Sequence, residues 1–128
     1  GWPGSVIEFL DIIDKLASPE KYGADTKNSF DVIVPSLPGF GFSGKPTKPI
    51  GPRKMAEMLN KLMIENLGYK NYMAQGGDWG ATIANWIGYD HFKFCKAIHT
   101  RKDHKLKLCH SLKDLKFVID LMLDWGTK

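Results

Sequence analysis

At 128 residues the chain suffices for one domain and falls short of two of ordinary size. A 43% hydrophobic and 25% charged composition is that of a globular protein, not a disordered one, and no apolar run approaches transmembrane length. The net charge of +4 is unevenly placed: residues 1–92 hold nine Lys/Arg against ten Asp/Glu, and residues 93–128 hold nine against four. Such asymmetry raises the question of nucleic acid. The basic stretch lacks aromatic interleaving and any nucleic-acid module, so a solvated lysine-rich face is expected and nucleic acid is not expected as a partner.

In chain order, Gly1-Trp2-Pro3-Gly4-Ser5 is a turn opening a helix, with Ser5 as N-cap and Glu8 completing a capping box. Val6, Phe9, Leu10, Ile13 and Leu16 follow at helical spacing until Ser18-Pro19 ends the run, and polar residues 19–30 form a loop. Asp31-Val32-Ile33-Val34, bounded by Pro35, predicts a short buried strand. The glycines of Pro38-Gly39-Phe40-Gly41-Phe42-Ser43-Gly44 then spell G-x-G-x-x-G, the pattern that binds dinucleotides when a helix follows at once. Pro46, Pro49 and Pro52 forbid that helix, so the segment is an irregular loop and no cofactor is implied.

Met55, Leu59, Leu62, Met63 and Leu67 mark the next helix as a core-facing stripe, stopped by Gly68. Residues 70–75 predict a strand, and Ala81 to about Tyr89 a helix. Between them stands Gly76-Gly77-Asp78-Trp79-Gly80, which fits a G-x-nucleophile-x-G elbow with Asp78 as nucleophile. Gly76 and Gly80 have a steric purpose there, because side chains two positions either side of a strained nucleophile collide with the crossing strand and helix. The helix N-terminus favours the ionised carboxylate, the form that can attack carbon. Gly-Gly-Asp also suits an ordinary surface turn, and the pentapeptide alone leaves both open. Residues 95–99 predict a further strand, and the strand–helix rhythm argues an α/β fold with a mostly parallel sheet. Ser111 and Asp114 open an amphipathic helix carrying Leu112, Leu115, Val118, Ile119, Met122 and Trp125.

Taken together, Gly1-Trp2-Pro3-Gly4-Ser5, Pro38-Gly39-Phe40-Gly41-Phe42-Ser43 and Gly76-Gly77-Asp78-Trp79-Gly80 resemble the α/β-hydrolase-fold epoxide hydrolases, above all the microsomal and juvenile-hormone type. The resemblance covers about residues 1–100 and implies a partial three-layer hydrolase core, truncated at both ends. Residues 101–128, a basic, helix-containing tail, depart from the family pattern and read as either the diverged start of a cap or an altered reading frame. It implies that Asp78 opens a small apolar epoxide to give a covalent ester, which water hydrolyses to a vicinal diol. Trp2 and Trp79 would give backbone N–H groups to the oxyanion, and Pro3 would follow a cis peptide bond. The family's activating His, its acidic partner and its cap tyrosines fall beyond residue 128, so the isolated chain is expected to be at most single-turnover. The family's strand before Gly-Trp-Pro is missing too, which leaves strand edges exposed or mispaired and implies marginal stability.

His99, His104 and His110 do not stand where the family places its base, and read as loop or surface residues. With Cys95 and Cys109 they match no compact zinc spacing, so no metal is implied. The two cysteines fit no disulfide framework either, and a reducing, cytoplasmic setting is expected. A haloalkane or haloacid dehalogenase also uses an elbow Asp, but often puts a halide-binding Asn where this chain has Trp2. A binding remnant that keeps the pocket without turnover is the third possibility.

Overall fold

The computed structural model describes residues 2–100 and 105–108, as two compact units that divide between Pro49 and Ile50.

In the first unit the predicted helix arrives in two steps. A 3₁₀ turn, Val6–Phe9, runs into α1 (Leu10–Ala17). Ser5 caps it, but the hydroxyl accepts from Ile7 N at 3.3 Å rather than from Glu8, whose N–H bonds the Ser5 carbonyl at 3.2 Å. That i to i+3 bond winds the first turn more tightly than an α-helix. The Glu8 carboxylate lies where a side chain on Gly4 would stand. At the other end Ser18 N bonds Asp14 O at 2.8 Å, and buried Pro19 opens a second 3₁₀ turn, Pro19–Tyr22, closed by Gly23 at φ 84°. Asp14 ties this turn back to α1, accepting from Lys21 Nζ at 2.9 Å and from Tyr22 Oη at 2.8 Å. Asp25 caps a third short turn, Thr26–Asn28, through Lys27 N, and Phe30 N returns to Leu16 O at 2.9 Å.

One expectation fails here: residues 31–34 form no ladder with any described strand, and Ile33 is exposed. β-Branched composition favours an extended chain, but only a partner strand completes a strand, and the described sheet lies wholly in the second unit. Residues 36–44 are a loop closed on itself. Gly39 N bonds Gly44 O at 3.0 Å, Ser43 Oγ donates to Ser36 O at 2.6 Å, and Phe42 N donates to Ser36 Oγ at 3.4 Å. Gly39 and Gly41 hold φ values of 88° and 52°, which L side chains rarely adopt.

The second unit carries α2 (Pro52–Lys61), which continues through a π turn, Leu62–Asn66, and ends at Gly68 with φ 75°. Its fully buried residue is Ala56, while Met55, Leu59, Leu62 and Met63 are only half-buried. Small residues are also buried on α3 (Trp79–Asp90), at Ala81 and Ala84, and α2 packs on α3. Strand β1 (Tyr72–Gly76) precedes α3 and β2 (Cys95–Thr100) follows it. The two strands pair in parallel, with Ala74 opposite Ile98 and Gly76 opposite Thr100, as the strand–helix–strand pattern predicts. Ile83, Ile87, Cys95, Ala97 and Ile98 complete the core where α3 covers β1 and β2.

The described sheet is not wholly parallel. A third strand, β3 (Lys105–Leu108), lies antiparallel to β2, with Ala97 opposite Leu108 and Thr100 opposite Lys105. The amphipathic helix expected from Ser111 onward lies outside the described residues. Among the described residues no helix is long and apolar enough to cross a membrane.

Candidate active site

Asp78 sits between β1 and α3 at φ 51° and ψ −122°, and among the described residues it alone has a positive φ without being glycine. Such a conformation costs an L residue roughly 1–3 kcal/mol and persists only where the surroundings impose it. The surroundings here are the two arms of the turn. Gly76 ends β1 buried, and a Cβ built on it would overlap the Gly80 carbonyl and stand 2.8 Å from Ala81 N. The first turn of α3 therefore lies directly on the last residue of the strand, and the chain between them must reverse sharply. Ala81 N locks the reversal, bonding the carbonyls of Asp78 at 3.0 Å and Gly77 at 3.3 Å.

The carboxylate projects from this bend into the open. Asp78 is exposed and its side chain caps no N–H of α3. It stands beside the positive end of a twelve-residue helix, whose first N–H groups have no partner inside the helix. Trp79, the next residue and the first of the helix, is 48% exposed, and its main-chain N–H is among those without a partner inside the helix. A turn of this kind can present an ionised carboxylate to a carbon electrophile and an N–H donor to an oxygen that later becomes negative.

Gly76, Asp78, Trp79 and Gly80 thus meet at one strand-to-helix junction. Trp2 lies in the first unit, where its ring packs on Phe40 at 5.8 Å between centroids, and the Trp2–Pro3 peptide bond is cis. His99 is half-buried on β2, in register with Gln75, while His104 and His110 lie outside the described residues. His91 caps the far end of α3, about 18 Å of helix away from Asp78. Among the described residues no three His, Cys, Asp or Glu side chains converge as a metal site would require.

What holds α3 in place is absent from the sequence motifs. Arg53, in the first turn of α2, grips Asp90 in the last turn of α3 through two bonds, Nε to Oδ2 at 2.8 Å and Nη2 to Oδ1 at 2.7 Å. The same guanidinium lies 4.6 Å from the Trp86 ring centre. The bonds from Arg53 hold the Asp90 carboxyl below its ordinary pKa, and Asp90 in turn raises that of Arg53. Tyr72, which opens β1, donates to Asn60 Oδ1 of α2 at 2.7 Å. The strand and helix flanking Asp78 are thereby anchored to the same neighbour.

A family model described as the alpha/beta hydrolase fold matches residues 1–120. Juvenile hormone epoxide hydrolase 2 of Ctenocephalides felis is 43% identical over 86 residues, 66% of this chain and 18% of its own length. Epoxide hydrolase 1 of Oryctolagus cuniculus is 43% identical over 84 residues, 65% of this chain and 18% of its own length. The crystal structure of juvenile hormone epoxide hydrolase from the silkworm Bombyx mori superposes with a TM-score of 0.69 at 37% identity, covering 78% of this chain and 26% of that one. The chain thus spans about a fifth of the length of these curated relatives.

Proposed function

The chain belongs to the alpha/beta hydrolase fold family, and from that premise we propose that it acts in the hydrolysis of a small apolar epoxide, with Asp78 as the nucleophile. A carboxylate oxygen of Asp78 attacks one epoxide carbon. The carbon–oxygen bond of the strained ring breaks, the released oxygen takes up a proton, and a hydroxyalkyl ester of Asp78 remains. Water then adds to the ester carbonyl, loses a proton, and the tetrahedral oxyanion collapses to the diol and the regenerated carboxylate. An Asp suits both halves: it displaces at a saturated carbon, and its ester offers an acyl carbon to water. The Trp79 N–H is proposed as a donor to the oxyanion, as is that of Trp2 by its place in the Gly-Trp-Pro motif.

The observation that carries this reading is the forced backbone of Asp78, φ 51° at the head of α3, with the Gly80 carbonyl pressed onto Gly76. That conformation favours glycine, so an Asp there is held at a cost in strain, as the exposed tip of a nucleophile elbow would be. The names of the relatives supply the substrate class, and the elbow supplies the chemistry.

Incubation with styrene oxide followed by peptide mass spectrometry tests it. A hydroxyalkyl adduct on Asp78, absent from Asp78→Asn, is expected. In heavy-oxygen water, any release of that adduct leaves the label in the Asp78 carboxylate. Adducts spread over other carboxylates, or none on Asp78, overturn the assignment.

A further inference from the structure

We draw no further inference here: the strongest candidate, the aromatic tip of the 36–44 loop where Phe42 is 93% exposed beside the Trp2–Phe40 pair, carries nothing because no feature of the described residues shows what covers it.

Discussion

The carbonyl of Gly80 occupies the space that a side chain on Gly76 would need. Relief would have to come from backbone, because the obstructing atoms belong to the first turn of α3 rather than to a flexible side chain. Gly76→Ala is therefore expected to cost stability at or above the top of the roughly 1–3 kcal/mol range of overpacked cores. It should also displace Asp78 and abolish its alkylation by an epoxide. Gly44→Ala, where nothing lies within 4 Å, is the control and should be neutral or slightly stabilising. Urea unfolding of both variants checks the contrast; equal midpoints would mean that the elbow yields freely.

Asp78 shows the reverse balance. Its side chain caps no helical N–H, so removing it forfeits no hydrogen bond of that kind, while its φ of 51° suits glycine. Asp78→Gly recovers a strain of roughly 1–3 kcal/mol and gives back about 0.5–1 kcal/mol of unfolded-chain entropy. A net gain of about 1 kcal/mol is expected, together with complete loss of alkylation. Asp78→Ala should lose the chemistry without that gain. If Asp78→Gly unfolds at lower denaturant than Asp78→Ala, the strain is not there.

Local chemistry made this elbow legible in the sequence. An apolar run, a glycine-bounded pentapeptide and a helical period stand within about twenty residues, and each points to the same turn. The Arg53–Asp90 grip was not legible, because its partners lie 37 residues apart and neither belongs to a motif. Residues 31–34 show the opposite error: composition announced a strand, but pairing is non-local, and the described ladders do not include it. For β3 the signal was present in the Lys105-Leu106-Lys107-Leu108 alternation, and was masked by the basic tail around it. The π turn after Lys61 left no trace in the apolar spacing.

Arg53→Lys should make good only part of what Arg53→Ala loses. A lysine can neutralise Asp90, but it lacks the planar fork that makes two bonds and lies over Trp86 at once. Both variants are expected to destabilise the α2–α3 pair, alanine more than lysine, by amounts that shrink in high salt because Arg53 is exposed. The pH dependence has a fixed sign. The hydrogen bond from Arg53 lowers the Asp90 pKa below its ordinary 3.8. The resulting stabilisation is complete above the unfolded value and disappears as pH falls through the lowered one. Unfolding midpoints of wild type and Arg53→Ala should therefore converge below about pH 4. A constant gap from pH 7 to pH 2 would mean that stacking on Trp86, not the ion pair, holds the helices.

Tyr72→Phe removes one half-buried hydrogen bond and keeps the ring. The loss of the donor to Asn60 Oδ1 is expected to cost about 0.5–1.5 kcal/mol. Combined with Asn60→Ala, the two effects should be clearly non-additive, since they delete the same contact from opposite sides. Additive losses in a double-mutant cycle would show that the 2.7 Å contact does not couple β1 to α2.

Thr100 closes β2 opposite Gly76, 1% exposed, and its hydroxyl has no hydrogen-bond partner among the described residues. An unsatisfied buried hydroxyl carries a desolvation cost of roughly 1–3 kcal/mol. Valine fills nearly the same volume, keeps the β-branched shape that suits a strand, and has no polar atom to satisfy. Thr100→Val is therefore expected to stabilise the second unit by about 1 kcal/mol, raising the urea midpoint without changing the slope. Thr100→Ser separates this cause from simple packing: it retains the hydroxyl, loses a methyl, and should destabilise. A Thr100→Val variant less stable than wild type would show that the hydroxyl is bonded after all, and that the end of β2 beside the elbow is held by polar contacts rather than by packing.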